Sequence, residues 1–363
     1  MRLLDRYVLR HFLLAYAVGF VSLLGLYVVI DLFTRSDEFT EDARGTGEVL
    51  ANVGVYYLYR LPLFFVRLSG VLALLAATFT VAWLERQNEV MPWLAAGVPL
   101  RRLLAPLLGA TVLVTGLSVA NREWVVPRCS PYLQRGADDP RGRKTCLVHG
   151  GYDKNLIHFD GRIACPERQM IQRARVTLPP QVMGGLVNLR VEEMFYRPAR
   201  GTETSGWYLL GVTPAHVECP HPALNWLGPG RYFVHTDLSF ERLTRPPDWF
   251  HYEATPQLFR LLGETTALSR RGELLTLLHR RLTSPLAEFV LVLLGVALIA
   301  GRPERNLFIK LGTALIAYAL FAGAHHICHS LARQADLNPA LAAWLPALVF
   351  GPLALALLDG VRT

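Results

Sequence analysis

The sequence predicts a membrane protein with six transmembrane α-helices, three before and three after an inserted antiparallel β domain. Hydrophobic residues make up 52% of the 363 residues and only 18% are charged, against roughly 25% in soluble domains. Uncharged apolar runs long enough to cross a bilayer of about 30 Å lie near both ends of the chain. The middle of the chain instead alternates apolar and polar residues, which is typical of strands.

The apolar runs predict the six helices in order. They cover residues 12–30, 68–84, 103–120, 282–300, 311–331 and 341–358, and the fourth is interrupted only by the charge of Glu288. The first run is longer than the core of a signal peptide and is followed by Asp31 rather than a small-residue cleavage site, so we expect it to be a helix that is retained. The predicted domains are therefore residues 1–122, the β domain 123–275 and residues 276–363.

The short loops predict the orientation of the helices. Arginines and a lysine are concentrated at the N-terminus, in residues 86–102, in residues 302–310 and at Arg362. Basic residues favour the cytoplasmic side, so both termini are expected in the cytoplasm and residues 123–275 outside it. Much of the net charge of +8 is then a topology signal, and we expect no nucleic-acid partner.

The central segment predicts an antiparallel sandwich or open barrel. Apolar and polar residues alternate over 173–178, 187–192 and 232–241, and turns rich in glycine and proline separate these runs. The segment also holds Cys129, Cys146, Cys165 and Cys219. Outside the cytoplasm we expect these thiols to pair, and two disulfides leave three connectivities open.

Motifs for nucleotide binding or hydrolysis are absent. The chain has no GxxxxGK[ST], GxSxG or HExxH sequence. A transporter of this kind would need an ion gradient or a separate ATPase. We therefore expect a non-enzymatic subunit without a cofactor of its own.

The loop after the second span predicts a short amphipathic helix over residues 85–97. Val90, Trp93 and Leu94 fall on one face, and Gly97 followed by Pro99 is a typical helix stop. The helix could lie on the membrane surface or dock into a partner. The pattern alone allows both interpretations.

Several short motifs, in this order, resemble the lipopolysaccharide-export permeases (LptF/LptG type, also called YjgP/YjgQ). They are LDRY at 4–7, a glutamate (Glu89) eight residues before Gly97, EWVVP at 123–127, LHRRL at 278–282 and NPALAAWLP at 338–346. Six spans with a β insert after the third also match this family. The LDRY start leans towards LptG.

The resemblance implies a multi-pass protein of the bacterial inner membrane that exports lipopolysaccharide. The implied partners are a paralogous permease, a dimeric cytosolic ABC ATPase that binds ATP and Mg, and a periplasmic lipopolysaccharide bridge protein. The insert would be a periplasmic β-jellyroll that holds acyl chains. Residues 85–97 would be the coupling helix, whose ATPase-contacting residues are Arg86, Glu89, Trp93, Leu94 and Gly97. Pro92 and Trp93 depart from the usual family run.

A substrate path is expected along polar residues at the outer membrane edge and inside the spans. Its candidates are Arg35, Arg67, Arg281, Glu288, His325 and His329. Arg35 either meets a lipid phosphate or anchors the helix at the interface. Glu288 is costly inside a span and is expected to pair with Arg67 or Arg281, unless it has a functional role.

The fifth span contains His325, His326, Cys328 and His329. His325 and His329 share one helix face, but with no carboxylate in that span we expect them to line a polar cavity rather than bind a metal. The sequence is also compatible with two rival functions. One is a membrane-embedded enzyme that uses Glu288 and these histidines, and the other is an anchored lipid-binding scaffold.

Overall fold

A computed structural model describes residues 3–40, 45–97, 99–136, 139, 145–199, 204–217, 221–264, 268–300, 306–333 and 338–360. It contains two units. The helical unit is Met1–Asp37, Tyr57–Ser130 and His251–Thr363, and the β unit is Glu38–Tyr56 and Pro131–Phe250.

The described residues contain six helices that are long and apolar enough to cross a membrane. This confirms the predicted number. The α-helices in the described part of the chain are α1 Leu3–Thr34, α2 Ser36–Thr40, α3 Thr46–Arg86, α4 Val90–Ala95, α5 Leu100–Ala120, α6 Val126–Leu133, α7 Pro180–Met183, α8 Phe240–Thr244, α9 Thr255–Glu264, α10 Leu268–Ala300, α11 Leu307–Arg333 and α12 Pro339–Gly360. The six long ones are α1, α3, α5 with its extension, α10, α11 and α12.

The third long helix continues past the end of its apolar run. A π-helical turn, Asn121–Val125, links α5 to α6, so helical structure reaches Leu133. The Asn121 side chain donates a hydrogen bond of 2.7 Å to the Pro62 carbonyl oxygen of α3. Turns of this type occur often at functional sites.

Close packing of small residues holds α3 and α10 together in the helical unit. A Cβ atom at Gly295 would lie 2.1 Å from Leu74 Cδ1, so any larger residue here would force the buried Leu74 side chain to move. Within lipid, small residues at such crossings allow the close packing that holds helices together. By contrast, α1 buries little of its length and exposes apolar side chains such as Val21 and Phe33, as expected of a surface that faces lipid or another subunit.

The β unit contains one eight-stranded antiparallel sheet. Its strands are β1 Gly151–Tyr152, β2 His158–Asp160, β3 Ile163–Cys165, β4 Met170–Leu178, β5 Val187–Arg197, β6 Gly206–Leu210, β7 Leu224–Gly228 and β8 Arg231–His235. Their order is β1-β2-β4-β5-β6-β8-β7, and β3 also pairs with β4. Short 3-10 turns lie at Pro166–Arg168 and Trp249–Tyr252. The antiparallel insert between the third and fourth spans is therefore confirmed.

The sheet encloses an apolar core of its own. Phe159, Val176, Leu189, Trp207 and Tyr232 are completely buried in it. The buried Trp207 indole nitrogen donates to the Leu238 carbonyl oxygen at 2.9 Å. The alternation read from residues 173–178 and 187–192 thus follows the inner and outer faces of β4 and β5.

The prediction of one strand over 232–241 is wrong in its second half. The strand ends at His235, and Phe240 begins helix α8. Ser239 caps that helix by accepting a hydrogen bond from the Arg242 backbone nitrogen. Serine side chains favour this position because they satisfy a free backbone N–H, and here the cap overrides the alternating pattern.

Candidate functional site

The loop helix is shorter than predicted. Residues 85 and 86 belong to α3, a turn follows at Gln87 and Asn88, and α4 covers only Val90–Ala95. Asn88 adopts a positive φ of 57°, and Gly97 has a φ of +73°. The predicted stop at Gly97 therefore coincides with a left-handed residue, which glycine adopts without steric cost.

Glu89 lies immediately before α4 and is held by the start of α1. The Tyr7 hydroxyl donates a hydrogen bond of 2.9 Å to Glu89 Oε1. Together with Leu4, Pro92 and Trp93, these two residues line an open cleft of about 630 Å³. The structure thus joins the LDRY segment to the loop, a contact that the sequence pattern did not predict. We call this site the loop-helix cleft.

Much of the apolar face of α4 packs against other helices of the same chain. Val90 is buried in the core of the helical unit, and Trp93 packs against that core while lining the loop-helix cleft. Met91 is exposed. The Leu94 side chain lies outside the described residues, and Arg86 is exposed at the end of α3. The loop therefore presents the exposed side chains of Arg86 and Met91 beside the half-buried Glu89 carboxylate and Trp93 ring.

An ion pair lies close by in the chain and was missed by sequence reasoning. Lys310 Nζ of α11 contacts Glu85 Oε2 at the end of α3. The Lys310 side chain is only 3% exposed, so the pair links the second and fifth spans. A signal was present, because Lys310 is one of three lysines in the chain and a lysine is rarely buried without a partner.

At the other end of α1, Arg35 is paired within the chain. Its Nε lies 3.2 Å from Asp31 Oδ1, and Tyr57 donates a 2.8 Å hydrogen bond to Asp31 Oδ2. Arg35 remains 41% exposed, so part of its guanidinium is accessible. Arg67 is exposed on α3. The structure does not bring Arg35 and Arg67 together by any contact described.

Arg281 has internal partners. Its guanidinium donates to the carbonyl oxygens of His251 at 2.7 Å and Glu253 at 2.6 Å. The side chain is 5% exposed. These contacts secure the segment that leads into α9, so its position favours a structural role over the predicted place on the substrate path.

A neighbouring network reinforces this segment. Glu123, in the π-helical turn, accepts hydrogen bonds of 2.7 Å from both the backbone nitrogen and the hydroxyl of Thr255. Arg122 donates to Ser284 Oγ and to the Arg281 carbonyl oxygen. The EWVVP and LHRRL motifs that carried the family resemblance therefore meet in one polar network.

The expected pairing of Glu288 with Arg67 or Arg281 is wrong. Its carboxylate instead accepts hydrogen bonds of 3.2 Å from the hydroxyls of Ser69 and Thr115. The backbone at Gly70 lies so near that an added Cβ would be 3.0 Å from Glu288 Cγ. Hydroxyl donors from two other spans satisfy the carboxylate. The sequence prediction missed them because it looked only for residues of opposite charge.

The three histidines lie along α11. His325 and His329 line a small cavity with Thr276, Arg280 and Ala342, among others. His325 Nδ1 is buried without a hydrogen-bond partner, while His326 is exposed. In the part of the chain that the structure describes, no group of three metal-ligating residues occurs.

The cysteines that the structure describes are free thiols. Cys129, Cys146 and Cys165 are partly buried and Cys328 is buried, whereas Cys219 lies outside the described residues. Burial raises the pKa of the Cys146 thiol. The expected disulfide pairing is thus not found among Cys129, Cys146 and Cys165.

Comparison with known proteins decides the family. The family model described as lipopolysaccharide export system permease LptF/LptG matches residues 6–136 and 253–359. The chain belongs to this family. The match covers the three spans before the β strands and the three spans after them, but it does not include the strands. A comparison with curated proteins found no match. The protein is thus a multi-pass permease of a lipopolysaccharide export system, as the motifs predicted.

Proposed function

We propose that this permease is the membrane-spanning subunit of an ATP-driven exporter that extracts lipopolysaccharide from the bacterial inner membrane. ATP and Mg bind to a dimeric cytosolic ABC ATPase, and a paralogous permease completes the membrane part. Both termini lie in the cytoplasm and the β unit lies in the periplasm. The arginine-rich short loops on the side of α4 support this orientation.

The observation that carries the proposal is the loop-helix cleft. It presents a carboxylate, held by Tyr7, beside the edge of Trp93. A groove on an ATPase that offers an arginine could form a charge-assisted hydrogen bond with Glu89 while packing against Trp93. Motion of the ATPase would then reach α1 through Tyr7 and α3 through the turn at Asn88.

The β unit is proposed to receive the acyl chains and pass them to a periplasmic bridge protein. Its inward faces are apolar and side chains such as Phe159 and Trp207 fill the interior. Acyl chains can enter only if these side chains move apart. The hydrophobic gain of burying the chains offsets part of that rearrangement.

Arg35 is proposed to meet a lipid phosphate where α1 leaves the membrane. Arg35→Glu should reduce lipopolysaccharide-stimulated ATP hydrolysis, because it replaces the guanidinium proposed to meet the phosphate by a carboxylate that repels it. Assembly with the partner subunits should remain intact. Unchanged stimulation at equal expression would leave Arg35 as an interfacial anchor.

Co-purification and reconstitution test the proposed function. The tagged permease, expressed with its paralogue and the ATPase, should retain both through purification. In proteoliposomes the complex should hydrolyse ATP faster with lipopolysaccharide and release the lipid to an acceptor. A permease that converts a lipid substrate chemically without the ATPase would instead be an enzyme, and one that binds lipid without release would be a scaffold.

A further inference from the structure

The outer face of the β unit contains a polar cleft that the proposed transport path does not use. The cleft measures about 490 Å³. Four arginines and two carboxylates contribute to its lining, namely Arg162, Arg173, Arg175, Arg190, Asp160 and Glu192. We call it the arginine cleft. Its charged residues are exposed or half-buried, whereas Ala174 and Val191 between them turn inward to the apolar core.

The strand register places these side chains next to one another. Arg175 of β4 lies opposite Asp160 of β2 on one side and opposite Arg190 of β5 on the other. Arg190 in turn bridges to Thr213. Side chains directly opposite on antiparallel strands come within about 5 Å, and like charges at such positions destabilise a sheet. The Arg175–Arg190 pair is therefore an arrangement that an anion between the two would relieve.

The backbone at Arg173 is also unusual. Its φ is +52° within the longest ladder of the sheet. Side-chain-bearing residues rarely adopt this conformation, and such residues occur often at binding sites. It holds Arg173 on the exposed side of β4, two residues from Arg175.

The arginines in the cleft have no partners among the described residues. None of the four guanidinium groups makes a hydrogen bond or ion pair there. Some other arginines of the β unit are paired, as Arg242 is with Asp237 at 3.3 Å. The two acids offset the arginines only in part, because Asp160 and Glu192 supply two negative charges against four guanidinium groups. Asp160 Oδ1 accepts the Gly161 N–H.

We propose that the arginine cleft binds phosphate groups on the saccharide of the transported glycolipid. Guanidinium groups match phosphate oxygens in pairs and bind them more specifically than lysines do. The substrate is amphiphilic, and the sheet offers an apolar interior on one face and this cationic cleft on the other. The cleft would thus hold the phosphorylated saccharide while the acyl chains occupy the interior. This inference rests on the proposed lipopolysaccharide export function.

Binding to the full-length permease in nanodiscs tests the proposal, with no ATPase present. The probes are inorganic pyrophosphate, the deacylated phosphorylated saccharide of lipopolysaccharide, the same saccharide after phosphatase treatment, and a poly-glutamate peptide. The phosphorylated saccharide and pyrophosphate should bind, and their affinity should fall as salt is raised. Equal binding of the phosphatase-treated saccharide, or tighter binding of the peptide, would overturn the proposal.

Three variants sharpen the test. Replacing both Arg175 and Arg190 by Gln should weaken binding of the phosphorylated saccharide by about tenfold or more, because two charge-assisted contacts are lost. Glu192→Gln should strengthen it, since a repelling charge is removed. Arg231→Gln, an exposed arginine on β8 outside the cleft, should bind like wild type. Circular dichroism of each variant should match wild type.

The outcomes separate this site from the export function. Unchanged affinity in the double arginine variant, with normal circular dichroism, would overturn the site even if lipopolysaccharide still stimulates the complete complex. Binding of pyrophosphate without the saccharide would overturn the assignment of the ligand. If the saccharide binds through the arginines but the reconstituted complex exports no lipopolysaccharide, the cleft stands and the proposed function fails.

Discussion

Removing either partner of the hydrogen bond between Tyr7 and Glu89 tests the hypothesis that the loop-helix cleft couples the permease to the ATPase. Glu89→Ala removes both the carboxylate and the acceptor of the 2.9 Å hydrogen bond. Removing one partner of a charge pair across an interface typically costs about 2–5 kcal/mol, because the other charge remains buried and unpaired. Two kcal/mol corresponds to roughly thirtyfold in affinity. We therefore expect ATPase binding to weaken by at least about thirtyfold.

Tyr7→Phe should have a smaller effect of the same sign. It leaves the carboxylate in place and removes only the hydroxyl that orients it. Tyr7 is 37% exposed, so the bond contributes about 1 kcal/mol, near the ordinary value for a hydrogen bond. The expected loss is about fivefold in ATPase affinity. In the Glu89→Ala background, Tyr7→Phe should change nothing further, since its only role is to hold that carboxylate.

The assay measures ATPase retained per permease on an affinity column, together with lipopolysaccharide-stimulated ATP hydrolysis in proteoliposomes. Gln87→Ala is the matched control, because Gln87 is exposed in the preceding turn and outside the loop-helix cleft. Glu85 is unsuitable as a control since it pairs with Lys310. If Glu89→Ala equals wild type in both measurements, α4 is an interfacial helix and coupling occurs elsewhere. If Tyr7→Phe weakens binding equally in both backgrounds, Tyr7 contacts the ATPase directly.

Three further predictions concern stability and topology. Lys310→Ala should lower the free energy of unfolding by about 3 kcal/mol, because it leaves the Glu85 carboxylate without its ion-pair partner. A Glu85→Gln, Lys310→Met double variant should recover much of this loss in thermal unfolding, and no recovery would show that the unpaired carboxylate is not the cause of the loss. Burial raises the pKa of the Asp153 carboxyl, so the folded state holds the carboxyl proton more tightly than the unfolded state. The stability that this group contributes is therefore lost as the pH rises above about 4. Asp153→Asn, which can still accept the two backbone N–H groups, should flatten the pH dependence of thermal unfolding monitored by near-UV circular dichroism, and an unchanged pH dependence would contradict this prediction. In a cysteine-free background, an impermeant maleimide should label Glu167→Cys but not Ala95→Cys from outside spheroplasts, and the reverse pattern would refute the orientation.

The local sequence pattern was sufficient to predict those elements whose surroundings are uniform along their length. A span faces lipid or other apolar helices along its length, so composition alone predicts it, and all six were found. A strand with one buried face must alternate, so residues 173–178 and 187–192 revealed β4 and β5. Gly97 was identified because its left-handed conformation is a local property of the backbone.

The sequence by itself thus determined the membrane architecture, the antiparallel insert and, through scattered motifs, the permease family. Tertiary structure decided the partners of its polar groups. Glu288 accepts hydrogen bonds from Ser69 and Thr115 of other spans and does not pair with an arginine among the described residues. Lys310 pairs with Glu85, and Glu89 accepts a hydrogen bond from Tyr7. The physical reason is that a buried polar group must be satisfied by whichever donor or acceptor the packing brings within about 3 Å, and residues that lie tens or hundreds of positions apart become neighbours only when the helices assemble.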